Sequence, residues 1–126
     1  MGRRITKRSI GKKLDRAWSA VVKENAGHKC EVCGVSGTST LLNPHHYISR
    51  SNRRLRWDTR NGICCCVGCH LFKNDSFHKN PVFGHFWMEE NRWEDLQYIT
   101  LHMNEIKKWT LEDMQEHLDK LNSLIK

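Results

Sequence analysis

Apolar residues recur at helical spacing early in the chain. Leu14, Ala17, Trp18, Val21 and Val22 predict a helix over 12–25, which Gly27 ends. The period is then lost through a stretch rich in Cys and Gly. Two short segments, 41–48 and 60–66, have the length and apolar content of strands, and the Arg-rich run 49–58 joins them. A short helix is expected over 67–79, closed by Asn80-Pro81. Phe83, Phe86 and Trp87 read as packing residues, and a further helix is expected over 93–99. Thr110-Leu111-Glu112-Asp113 has the form of a capped helix start. The stripe that follows, Leu111, Met114, Leu118, Leu121 and Ile125, reads as core, with a homodimer seam through the C-terminal helices as the alternative. The pattern is α+β: a flexible basic arm over 1–10, a core over 11–80, and a helical C-terminal extension over 81–126.

Length and charge narrow the reading. The chain has 126 residues, one domain's worth, with no internal repeat. No stretch approaches the ~18–20 consecutive apolar residues of a membrane span, so no membrane partner is expected. The net charge is +7, and it is uneven: 89–126 hold nine acids and five bases, so the excess of cations lies in 1–88. A basic body suits a polyanionic partner, of which nucleic acid is the commonest.

All six Cys fall between positions 30 and 69, four of them as Cys30-x2-Cys33 and Cys66-x2-Cys69. Paired knuckles without an export signal point to thiolate metal ligation in a reducing, cytoplasmic setting rather than to disulfides. The expected ion is a structural Zn²⁺ held by Cys30, Cys33, Cys66 and Cys69. Cys64 or Cys65 can replace Cys66 in this scheme, and His28 is a reserve ligand. The simpler reading of Cys64 and Cys65 is small buried strand residues.

A second pattern is interleaved with the knuckles. His45-His46 is followed after fourteen residues by Asn61, after eight more by His70, and Asn74 lies four residues further on. On a helix His70 and Asn74 are i and i+4, project from one face, and can grip one divalent metal ion. His45 on the facing hairpin completes the ligands, and His46, with a pKa near neutrality, suits a general base. Neighbouring strand residues point to opposite faces. For both histidines to serve one site the chain must leave strand geometry, and Pro44 is the residue that would let it.

The spacing His-His-x14-Asn-x8-His, with Cys-x-x-Cys directly ahead of the last His, resembles the HNH (ββα-metal, His-Me finger) endonucleases. From Asn43 to Phe72 it looks most like phage and prophage members of the NinG/Rap type, which are associated with recombination and branched DNA. The resemblance implies a zinc-stapled ββα-metal core that hydrolyses DNA to 5′-phosphate and 3′-hydroxyl ends, with Asn61 bracing the hairpin and orienting the base. Many members carry Asp where this chain has His45. The present set is similar to the His-rich colicin nucleases, although Asn74 stands where those have a third His. Neutral nitrogen donors favour Zn²⁺, Ni²⁺ or Mn²⁺ over Mg²⁺ as the catalytic ion. Arg50, Arg53, Arg54, Arg56 and Arg60, with Lys12 and Lys13, are the expected contacts to the DNA backbone, and Trp57 is expected in the core. Two other readings of the same residues remain: a zinc-ribbon-like nucleic-acid adaptor without activity, and an interaction domain that docks a partner through its acidic C-terminal helices.

Overall fold

The computed structural model describes residues 4–126. Helix α1 spans Lys7–Asn25. Its start is fixed by a capping box in which Thr6 accepts from the Ser9 backbone N–H while the Ser9 hydroxyl accepts from that of Thr6. The helix therefore begins inside the segment expected to be a flexible arm, and Ile10 is already in the core. Residues 1–3 of that arm lie outside the described residues. Gly27, at φ 64°, ends the helix as expected.

Strands β1 (Leu42–His46) and β2 (Gly62–Cys66) form a two-stranded antiparallel sheet, with His45 opposite Ile63 and His46 opposite Gly62. Pro44 is accommodated because β1 has a free edge where no N–H is required. A 3₁₀ turn, Thr59–Asn61, leads into β2, and Asp58 caps it by accepting from the Arg60 N–H. This turn replaces the first residues of the expected second strand.

The helix expected over 67–79 does not form. A single π turn, Gly68–Phe72, follows β2, and Lys73 then adopts an extended backbone at ψ 150°. Two constraints act here. Cys69 must turn back beside Cys66, with its N–H on the Cys66 sulfur at 3.5 Å. Phe77 must reach the core, where it is 6% exposed. The chain folds back instead: Phe77 N–H donates to the Cys69 carbonyl at 3.1 Å and His78 N–H to that of His70 at 3.3 Å.

Helices α2 (Pro81–Asn91), α3 (Trp93–His102) and α4 (Leu111–Leu124) complete the chain. Helix α4 starts at the expected Thr110 box and lies along α1. Met114, Leu118 and Leu121 of its apolar stripe are buried there, whereas Leu111 and Ile125 at its two ends stay exposed. Residues 81–126 thus share one hydrophobic core with the rest, including Leu14, Trp18, Leu55, Trp57 and Ile63. Phe86, expected to pack, is 56% exposed.

Helix α1 sits so close to the hairpin that a Cβ on Gly62 would collide with Val22 and would lie 2.8 Å from the Trp18 ring. Gly62→Ala is therefore expected to cost about 2 kcal/mol in urea unfolding. An unchanged midpoint would contradict this packing.

Candidate metal centres

The first centre is built from the two knuckles. The sulfurs of Cys30, Cys33, Cys66 and Cys69 lie within 4.8 Å of one another. The Cys33–Cys66 separation is 3.7 Å, close to the ~3.8 Å that tetrahedral Zn–S bonds of about 2.3 Å impose. In each knuckle the second cysteine's N–H donates to the first one's sulfur at 3.5 Å, which favours thiolate. Burial opposes ionisation of Cys30, but the N–H groups of Cys33, Cys66 and Val32 outweigh it and bring the thiol down to about 7. Cys69 is pushed the other way by burial and by the sulfurs of Cys66 and Cys30. Four such neighbours can ionise together only around a cation. Four cysteines in this arrangement can hold one structural zinc, and Lys73, with Nζ 3.6 Å from the Cys69 sulfur, offsets part of their charge.

Cys64 and Cys65 are fully buried in β2 and stand outside the cluster. Burial raises both thiols, Cys64 to about 11. His28, the reserve ligand, is exposed at a left-handed φ of 56° and also stands apart. Arg92 secures the zinc knuckle to β2: its guanidinium donates to the Gly62 carbonyl at 2.6 Å and pairs with Glu31, whose other oxygen accepts from the Cys64 N–H.

The second cluster is three imidazoles. His45, His70 and His78 each offer a ring nitrogen within 4.8 Å of the others. The rings of His45 and His70 are 5.0 Å apart, and His70 Nε2 lies 2.9 Å from His78 Nε2. Burial, then the neighbouring imidazoles, lowers the His45 pKa to about 3, and burial followed by His78 lowers that of His70. Neutral imidazole is the ligating form. His70 Nδ1 is buried without a hydrogen-bond partner, and no protein hydrogen bond reaches the His45 ring among the described residues. The fit to an ion rests on the converging nitrogens rather than on Nδ1, which lies on the other side of the His70 ring from Nε2: three imidazoles this close suit a divalent metal that accepts nitrogen. Phe77 stacks on His45 at 5.1 Å and is itself wedged against Phe83 and Trp87.

Asn74 is not where a helix would have put it. It is exposed on the turn after the π turn, and His78, brought back by the two backbone bonds, stands beside His70 in its place. Sequence periodicity carried no signal for this. The available hint was a further His eight residues after His70, next to an aromatic residue.

His45 and His46 keep strand alternation and face opposite sides, so the departure from strand geometry expected at Pro44 does not occur and the two imidazoles do not share a face of the hairpin. The His46 ring stacks on Trp18 with centroids 3.9 Å apart and planes 6° from parallel. Its Nε2 is 2.8 Å from the Arg56 carbonyl. A carbonyl only accepts, so Nε2 carries the proton and Nδ1 the lone pair. Burial, outweighing the Arg56 bond and Asp15, lowers the His46 pKa and keeps the ring neutral.

Asn61 is fully buried. Its Oδ1 accepts from Ile48 N–H at 2.8 Å, and its Nδ2 donates to the carbonyls of Ile48 and Leu55. The Asn61 carbonyl also accepts from Tyr47 N–H. One side chain thus ties both ends of the 47–58 connection, which supplies the Arg56 carbonyl under His46.

The basic residues divide. Arg56 is bidentate to Asp15, which also takes the Trp57 indole N–H. Arg54 is held by Asp58, Glu105 and Tyr98. Arg60 lies over Tyr98 and faces Asp95 at 3.8 Å. Arg50, Arg53, Lys12 and Lys13 are exposed. Asp58 is committed to Arg54, Tyr98 and the 3₁₀ turn, and Asp75 accepts from Asn80, so neither joins the imidazoles.

Comparison with family models, curated proteins and solved structures finds no match. No described helix is long and apolar enough to cross a membrane.

Purified protein is expected to retain one tightly held zinc, lost in Cys30→Ser and Cys66→Ser but kept in Cys64→Ala, Cys65→Ala and His28→Ala. Elemental analysis after dialysis measures this. Zinc kept by Cys66→Ser and lost by Cys64→Ala would reassign the ligands.

Proposed function

We propose that the chain is a metal-dependent DNA endonuclease of the HNH type, with a ββα-metal core formed by β1, β2 and the π turn. The observation that carries this reading is the joint geometry of three elements at the diagnostic spacing. His45 and His70 meet on one face of the hairpin, Asn61 braces the intervening connection from a fully buried position, and His46, on the opposite face at the end of β1, is fixed with a free lone pair.

In this reading His45, His70 and His78 hold the divalent ion. When bound, the ion supplies Lewis-acid stabilisation of the negative charge that develops on the phosphate. Three imidazoles point away from Mg²⁺ and toward Zn²⁺, Ni²⁺ or Mn²⁺. The reading requires a phosphate that lies across the end of β1, between the two faces; there His46 Nδ1 takes a proton from water as the water oxygen bonds to phosphorus, and the 3′ oxygen leaves and is protonated by solvent. Trp18 and the Arg56 carbonyl prevent His46 from rotating away. Asn61 acts through that carbonyl and is a positioning residue. Phe77 sets the plane of His45. The exposed cations Lys12, Lys13, Arg50 and Arg53 engage the phosphate backbone, whereas Arg54 and Arg56 serve it indirectly by shaping the connection.

Nicking of supercoiled DNA tests the scheme, with added Mg²⁺, Mn²⁺, Ni²⁺ and Zn²⁺ in parallel. His46→Ala is expected to lose at least about 100-fold in rate. His78→Ala should fall as far as His70→Ala, and Asn74→Ala should stay within about twofold of wild type, since it removes no interaction of the site. Wild type and His46→Ala equally inert in every metal would favour the adaptor reading. A large loss in Asn74→Ala with none in His78→Ala would overturn the ligand assignment.

A further inference from the structure

Between α1, residues 50–57 and the start of α4 lies a cleft of about 570 Å³, within the ~300–1,000 Å³ range of small-ligand sites. Lys7, Arg8, Lys12, Arg50, Arg53 and Arg56 line it against one carboxylate, Asp15. That carboxylate is already occupied by Arg56, Arg50 and the Trp57 indole. Lys7, Arg8, Lys12 and Arg53 make no ion pair among the described residues. Uncompensated cations around a hollow call for a polyanion.

The cleft has an apolar side as well, formed by Trp57, Trp109 and Met114. Trp109 is fixed by its indole N–H, which donates to the Arg53 carbonyl at 2.8 Å. Lys107 sits over the Trp109 ring at 4.7 Å and lines the neighbouring depression, and the Trp57 and His117 rings lie 5.2 and 5.4 Å from it, while the half-buried indole still lines the cleft. Gly11 provides a third and independent observation. It lies inside α1, where glycine costs about 1 kcal/mol relative to alanine. Packing does not require it: an added Cβ would meet only Trp57 at 3.7 Å and Met114 at 3.9 Å, both ordinary contacts. A longer side chain there would project into the hollow.

We propose that this cleft receives one unpaired nucleotide of a DNA strand, its base against Trp109 and Met114 and its phosphates among Lys7, Arg8, Lys12 and Arg53. A duplex presents its bases stacked and would meet only the charged rim, whereas a base outside the stack can enter a hollow with an aromatic wall. The cleft also lies on the His46 side of the hairpin, because it is lined by Asp15 and by Arg56, whose carbonyl holds that imidazole. The inference rests on the nucleic-acid reading above but not on its metal chemistry.

The test is fluorescence anisotropy on the zinc-loaded protein without further added metal, using a labelled duplex with a single-nucleotide bulge and the same duplex fully paired. The bulged duplex is expected to bind about tenfold tighter, the order of one base–aromatic stack. Gly11→Leu keeps every cation and favours the helix. It should abolish the preference while leaving affinity for the paired duplex within about twofold. In wild type the bulged duplex should shift the Trp109 indole N–H resonance and the paired one should not, a readout that stands if the variant fails to fold. Equal affinities, an unmoved indole, or a preference that survives a folded Gly11→Leu would overturn the proposal. Nicking lost with the binding preference intact would strike only the catalytic reading, and nicking intact with equal affinities would strike only the cleft.

Discussion

The convergence of four cysteine sulfurs at the open end of the hairpin is the constraint on which the rest of the molecule depends. It forces the chain to turn at Cys69 directly after β2, so a π turn replaces a regular helix and His70 emerges beside β1. The same compression turns the following segment back on itself and delivers His78. A core this small gains from such a staple, since metal binding there becomes part of the folding free energy. The position of the imidazole cluster is thus a by-product of the thiolate cluster.

The two-residue period of the hairpin divides the work of the adjacent histidines. His45 faces the π turn and its neighbours are imidazoles and Phe77. His46 faces α1 and its neighbours are Trp18 and a backbone carbonyl. One environment suits a ligand and the other a fixed, neutral base. Asn61 couples the two sides, because the connection it ties down begins right after His46 and returns to supply that carbonyl. The basic cleft opens on the same side as His46, which places the cations of α1 and the 50–57 segment next to the proposed base.

Much of this was legible in the sequence. Ligand-pair spacing fixed which cysteines cluster, because two residues between thiols suit a knuckle whatever surrounds it. The box at Thr110 and the stripe after it located α4, since caps and helical periods are local properties. The interval from His45-His46 to Asn61 spans the connection between the two strands, with His46 ending β1 and Asn61 directly ahead of β2. Local rules failed where tertiary packing decided the backbone. The run 67–79 has helical composition, yet burial of Phe77 and Ser76 and the turn at Cys69 prevail over propensity. The expected helix is what placed Asn74 beside His70; in the structure Asn74 is exposed on a turn and His78 lies beside His70 instead. The segment before Lys12 read as a tail because its cations hide a single apolar residue, Ile10, that docks in the core. Charge alone likewise could not separate Arg54 and Arg56, whose partners Glu105 and Asp15 are remote in sequence, from the arginines that face solvent.

The central claim is that three neutral imidazoles from β1, the π turn and the returning segment share one ion distinct from the thiolate-bound zinc. X-ray absorption at the cobalt edge, on zinc-loaded protein given one equivalent of Co²⁺, addresses it directly. The account predicts a histidine-rich shell near 2.0–2.1 Å, the usual metal–imidazole distance, that is lost in His78→Ala. Cobalt found with sulfur neighbours, or with an oxygen-only shell unchanged by His78→Ala, would contradict it.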